Sequence, residues 1–303
     1  MHTAKMRQKQ KIILYNFSVL KYNAVIQPTP RRRRTRKGET VMKKMFAMLL
    51  ALIMILSCFA GCSAAGSKTV VVGYTIYAPM NYFDDSGKLI GYDTELAEAV
   101  FAELGYQVLF QEIDWGSKYT DLNSGAIDCV WNGFTANTAD DDGVLRSEKV
   151  DFSFNYMENR QVIVAKADAG IASAADLSGK VAAVEEGSAG ETYAASFEGV
   201  TTKGFTKQTD CLLDVLSGTT DFAVLDAQLA KSYAGKGDYK DLVVVDGLSS
   251  DVEYYAIGFK KGSDLTAKVN EQLEKLAKDG TIAQLAEKYD VANTAITDFS
   301  DQK

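Results

Sequence analysis

Val70-Val71-Val72, then Gly91-Tyr92-Asp93-Thr94-Glu95-Leu96-Ala97, then Val108-Leu109-Phe110 beyond Gly105: this stretch decides the fold. Three consecutive apolar residues leave no polar face, as in a strand covered on both sides within a parallel sheet. Leu96, Val100 and Leu104 recur at four-residue spacing and stripe one side of a helix. Asp93 is placed to cap that helix and Gly105 to end it. Val108-Leu109-Phe110 is strand again. The alternation continues through a short helix near Tyr119–Asn123 and strands at Ile127–Trp131, Gln161–Ala165 and Val181–Val184. A helix follows Gly187, then strands at Phe222–Leu225, Val243–Val245 and Tyr254–Phe259. Two amphipathic helices close the chain, striped by Val269, Leu273 and Leu276 and by Ile282, Leu285 and Tyr289, with Asp279-Gly280 between them. Strands alternating with helices predict an α/β fold with mainly parallel sheets.

The 303 residues amount to about two domains, and 47% hydrophobic with 24% charged side chains excludes wholesale disorder, collagen and coiled coil. Residues 1–61 carry 13 Lys/Arg and one acid, Glu39, which leaves 20 basic and 39 acidic side chains downstream, a net of −19. So acidic a segment repels phosphate backbones, and nucleic acid is not an expected partner. The only histidine is His2, which removes Ser-His-Asp and Cys-His catalysis and every His-ligated metal site from the folded part. No metal or cofactor is expected. Pro79 is the only proline after residue 61, and no repeat or low-complexity linker appears, which fits two hinged halves rather than tethered beads.

The amino-terminal 61 residues read as an address. Met42-Lys43-Lys44 leads into an apolar run from Met45 to Leu56, shorter than the ~20 residues of a membrane span. It ends in Ser57-Cys58-Phe59-Ala60-Gly61-Cys62-Ser63, small residues before a cysteine, like a bacterial lipobox with Cys62 lipidated; an ordinary cleaved signal peptide is the other reading. Residues 1–41, with Arg31-Arg32-Arg33-Arg34, are either a polybasic tail or a leader translated from a start placed too early, and Met42 is the expected initiator. Cys129 and Cys211 lie in apolar contexts and are expected to be unpaired buried thiols.

Several segments resemble, in order and at family spacing over about residues 68–290, the family 3 extracellular solute-binding proteins, the amino-acid receptors of ABC importers. They are Gly91–Ala97, Asn123-Ser124-Gly125-Ala126-Ile127-Asp128, Val150-Asp151-Phe152-Ser153, Asp176-Leu177-Ser178-Gly179-Lys180, Gly187-Ser188-Ala189-Gly190-Glu191 and Asp279-Gly280-Thr281-Ile282. The resemblance implies a two-lobed type II periplasmic-binding-protein fold, each lobe a mainly parallel five-stranded sheet flanked by helices. Residues 62–160 and 260–303 would form lobe 1 and residues 161–259 lobe 2, with hinge strands at 161–165 and 254–259. It also implies an exported, lipid-anchored monomer on the outer face of a bacterial cell membrane, with an ABC permease and its ATPase as partners.

A free amino acid is a zwitterion, and burying it without counter-charges costs several kcal/mol per ion, so its site must supply both. The family binds the carboxylate through an Arg before the "VDFS" segment, and Arg146 stands four residues before Val150; Arg is suited to bidentate carboxylate recognition. Thr135, Gly133 and Asn132 fall where the family makes neighbouring contacts. Thr138–Leu145 is about five residues longer than the usual segment, and its Asp140-Asp141-Asp142 either pairs with Arg146 or forms a solvated loop; it lacks the spaced ligands of a calcium loop. Thr220–Asp226 resembles the family segment whose last Asp binds the α-amino group, so the resemblance gives the ammonium to Asp226, at the end of Phe222–Leu225, a position that also suits a helix N-cap. Ser188 and Ala189 begin a helix whose free N–H groups suit a carboxylate. Tyr77 and Trp115, with Phe134 as a further candidate, match the aromatic walls, and Glu186, beside Glu185, is placed to read a polar or cationic side chain. The ligand is thus a polar amino acid, a basic one or cystine. A sensory domain for a signalling partner and a dehydratase-like enzyme of the same fold are the rival readings, the second disfavoured by the missing histidine.

Overall fold

The computed structural model describes residues 68–302; the basic segment, the apolar run and Cys62 lie outside the described residues. The chain runs β1 (Lys68–Tyr74), β2 (Tyr82–Phe83), β3 (Leu89–Ile90), α1 (Tyr92–Glu103), β4 (Tyr106–Glu112), α2 (Lys118–Ser124), β5 (Cys129–Val130), α3 (Arg146–Lys149) and β6 (Asp151–Phe152). It continues through β7 (Met157–Asn159), β8 (Gln161–Lys166), β9 (Val181–Glu185), α4 (Ala189–Ala195), β10 (Thr201–Phe205), α5 (Gln208–Ser217) and β11 (Phe222–Asp226). Last come α6 (Ala227–Tyr233), β12 (Leu242–Ser249), β13 (Glu253–Tyr255), β14 (Gly258–Phe259), α7 (Leu265–Lys278) and α8 (Thr281–Lys288).

These strands form two five-stranded sheets, ordered β4-β1-β5-β14-β6 and β10-β9-β11-β8-β12. Each is parallel except for one reversed strand: β14 in the first, antiparallel to β5 and β6, and β8 in the second, antiparallel to β11 and β12. The apolar runs have the expected cause. In the second sheet Ile163, Ala165, Ala182, Val184, Phe222 and Val224 pack on one face, and Val162, Val164, Ala183, Ala223 and Leu225 on the other with Cys211, Leu212 and Val215 of α5. A strand covered on both faces has no position for a polar alternation. Cys129 and Cys211 are buried and free. The carboxy-terminal helices return to the first sheet's side, where Lys288 pairs with Glu95 at 2.6 Å and the Tyr289 hydroxyl accepts from the Gly91 N–H at 3.2 Å.

Three local expectations are corrected. Gly91, not Asp93, is the N-cap of α1; Asp93 lies in the first turn and is fully buried, with its carboxylate turned into the interior. The strand expected over Ile127–Trp131 shortens to Cys129–Val130, because the chain turns away at the positive-φ Gly133. The strands that link the sheets are also displaced. Gln161–Lys166 is an interior strand of the second sheet and Gly258–Phe259 belongs to the first, while the two-stranded ribbon β7–β13 connects them, with Glu253 opposite Asn159.

Candidate functional site

Glu185 and Asp226 are the last residues of β9 and β11, which run parallel as neighbours, so two acids emerge side by side at the carboxyl end of the second sheet. Sites in open α/β sheets form at that end. Facing them, from the first sheet's side, are Trp115, Asn132, Gly133, Thr135 and Arg146. With Ser188, Ala189 and Gln208 these residues enclose a cavity of about 10 Å3, room for about one water. Eight of the ten predicted ligand residues thus line one cavity.

Arg146 opens α3 and is 1% exposed, so it is no surface arginine. Its Nε donates to Asp140 at 2.8 Å, Nη1 to the Thr135 carbonyl and Nη2 to the Gly187 carbonyl, each at 3.2 Å, while its guanidinium lies 5.5 Å from the Phe134 ring centre. Asp140 also accepts from Lys149 at 2.8 Å and from the Tyr119 hydroxyl at 2.6 Å. Burial pushes its carboxyl up, but these bonds and the Arg146 charge outweigh burial and hold it below the ordinary carboxylate range. Of the three consecutive aspartates only Asp141 and Asp142 are solvated; Asp140 is buried as the arginine's partner.

Asp226 occupies the N-cap position of α6 but makes no capping bond with its side chain. Its Oδ1 accepts from Asn159 at 2.6 Å and Gln161 at 2.7 Å, and Oδ2 from Gln208. The same two amides donate to Glu253 Oε1, at 2.6 Å and 2.7 Å, so two carboxylates share two carboxamides. Burial pushes Asp226 up against the hydrogen bonds from Gln208, Gln161, Tyr255 and Asn159. Burial and the Asp226 charge raise Glu253 to about 7 and Glu185 to about 8. Lys118, at the start of α2, donates to the carbonyls of Trp115 (3.3 Å) and Gly187 (3.0 Å). Burial, followed by the charge of Arg146, pulls it down to about 7.

Gly133 must be glycine. Its φ is 55°, and a Cβ there would stand 2.3 Å from the Tyr77 hydroxyl. Tyr77 therefore lies behind Gly133, bonded to the Tyr255 hydroxyl at 3.2 Å, and does not line the cavity as expected. Glu186 is exposed and Glu185 takes the inward place, because the buried strand β9 ends at Glu185 and Glu186 lies in the turn beyond it. Asn132 reaches the cavity, but its side chain is bound into the interior by Thr75 and Asn81. Ser188 caps α4 by accepting from Glu191 N–H at 3.0 Å. Trp115 meets Phe134 edge to face at 5.1 Å; Phe134 itself is core. Sequence reasoning missed Lys118, Asn159, Gln161, Gln208 and Glu253. The one local signal was Asn159 and Gln161, polar residues two apart at the head of an apolar strand.

A sequence profile described as "Bacterial extracellular solute-binding proteins, family 3" matches residues 70–292. The arginine-binding extracellular protein ArtP of Bacillus subtilis is 30% identical over 257 residues, covering 82% of this chain and 98% of ArtP. The L-cystine-binding protein TcyA of the same organism is 30% identical over 216 residues, covering 70% and 77%. Among solved structures, an ancestral arginine-binding protein bound to arginine superposes with a TM-score of 0.66 at 33% identity, covering 73% of this chain and 97% of its own.

Proposed function

We infer the ligand from one premise: the chain belongs to the bacterial extracellular solute-binding proteins of family 3. It binds a free L-amino acid between its two sheets and hands it to an ABC importer. One observation carries this reading: a guanidinium from the first sheet's side and a carboxylate from the second face the same cavity. Arg146 takes the ligand carboxylate through Nη1 and Nη2, which now rest on carbonyls, and Asp226 takes the α-ammonium. Because the two charges come from different sheets, only the closed arrangement satisfies both ends of the zwitterion, and ligand entry requires the ribbon β7–β13 to open. Charge-assisted hydrogen bonds contribute about 1.5–3 kcal/mol each, so three or four supply the roughly 8 kcal/mol of micromolar affinity with some left for closure.

The protein is a receptor and not an enzyme on this reading: beyond His2 the chain has no histidine, and Arg146 and Asp226 supply the two counter-charges that a zwitterion needs. Export, lipidation of Cys62, cleavage before it and a monomeric state complete the proposal; the lipobox-like segment supports the first three. The test is a thermal-shift screen against the common amino acids and cystine. A ligand held at 100 times its dissociation constant adds about 2.7 kcal/mol and raises the melting temperature by several degrees. No shift with any of them at millimolar concentration would remove the reading.

A further inference from the structure

The second sheet's side of the cavity holds more acid than one α-ammonium uses. Glu185 and Asp226 both line it, and Glu253 stands behind, sharing amides with Asp226. Among the described residues none of these three acids forms an ion pair. Both oxygens of Asp226 are occupied by carboxamide donors. Glu185 is not so supplied. It is 2% exposed and its Oε1 has no hydrogen-bond partner, and an unsatisfied buried acceptor is unfavourable, the more so when charged. On the opposite side Arg146 is paired with Asp140, while Lys118 donates only to two carbonyls and forms no ion pair with Glu185. What the cavity lacks is a positive donor at Glu185.

We propose that Glu185 is a specificity-determining residue that accepts a second positive charge from the ligand, which makes the preferred ligand a basic amino acid carrying a guanidinium or ammonium on its side chain. The proposal rests on the amino-acid reading above, with Arg146 and Asp226 holding the zwitterion's two ends. The groups acting on Glu185 agree with it. Burial and the neighbouring Asp226 charge raise it, while the Lys118 charge and the hydrogen bonds from Gln208 oppose them; Tyr77 and Cys211 add no positive charge. Raised to about 8, Glu185 retains its proton at pH 7 until a ligand cation makes the carboxylate the better form, so a basic ligand expels a proton on binding.

Calorimetry on the whole protein tests this with L-arginine and L-citrulline, which replaces the guanidinium by a neutral ureido group of nearly the same shape. The wild type should bind arginine at least 30-fold more tightly than citrulline, and Glu185→Gln should reduce that preference below threefold. Repeating both titrations at pH 7 in buffers of different ionisation enthalpy should register more proton release with arginine than with citrulline, a readout that needs no variant and holds if Glu185→Gln folds poorly. Equal wild-type affinities, an unchanged preference in E185Q, or loss of both ligands in E185Q would each overturn the proposal while leaving the amino-acid reading in place; the last would make Glu185 the α-ammonium seat. Failure of the wild type to bind any amino acid would overturn both.

Discussion

The two sides of the cavity treat charge in opposite ways. On the first sheet's side the cation Arg146 is held by a full anion, Asp140, which Lys149 and Tyr119 hold in turn. On the second sheet's side the anions Asp226 and Glu253 are held by neutral donors, amides foremost, and Glu185 keeps one oxygen with nothing at all. A carboxylate held by a cation stays below its ordinary range, as Asp140 does; carboxylates held by dipoles in a buried place rise, as Glu185 and Glu253 do. One side is therefore complete without a ligand, and the other waits for positive charge. The asymmetry comes from the segment Thr138–Leu145, which supplies Asp140.

Removing either pole should have the largest effect. Arg146→Ala and Asp226→Ala are expected to abolish amino-acid binding in calorimetry with the circular dichroism spectrum retained; wild-type affinity in both would discard the comparison. Asp140→Asn attacks only the side that is already balanced. Breaking a buried pair costs about 3 kcal/mol, or roughly 6–12 °C in melting temperature for a domain of this size. The rise produced by ligand should then exceed that of the wild type, because Arg146 has lost its internal competitor. An unmoved melting temperature would mean that the pair contributes nothing.

A smaller effect follows from acids that keep their protons in the fold. Asp93, raised to about 7 by burial against bonds from Tyr156 and Gly133, and Glu253, raised to about 7, release those protons on unfolding. Their contribution is complete below the ordinary carboxylate pKa and is lost as pH rises through 7, so the ligand-free melting temperature should fall by a few degrees from pH 5 to 7. Asp93→Asn should flatten that slope, and a rise over the interval would contradict the assignment. Above pH 7 Lys118, whose folded pKa is lowered, works in the opposite direction. The arginine-to-citrulline preference should also change, growing by up to roughly 50-fold from pH 6 to 8 as the cost of deprotonating Glu185, raised to about 8, disappears.

The β–α alternation was legible because strands covered on both faces must be apolar throughout, and Val162, Val164, Phe222 and Val224 obey that locally. Arg146 and Asp226 were legible through resemblance, each beside a recognisable segment. Asn159, Gln161, Gln208 and Glu253 had no such marker. They meet because the β11–β8 register sets Asp226 opposite Gln161 and the β7–β13 register sets Asn159 opposite Glu253, pairings between residues 65 and 94 positions apart. Glu185 and Glu186 were confused for a related reason: the side chains are adjacent and identical, and a continuous apolar run does not reveal which of them ends the buried strand and which begins the exposed turn.

The amino-acid order by itself determined the layered α/β architecture, the excess of acid and the absence of histidine chemistry, since each follows from composition or from periodicity over a few residues. The tertiary structure alone decided which acid faces inward, which of three consecutive aspartates holds Arg146, and which carboxylate oxygen at the cavity is left without a donor. Those outcomes depend on distance and burial between segments far apart along the chain, and electrostatic energy is set by distance and burial rather than by position in the sequence.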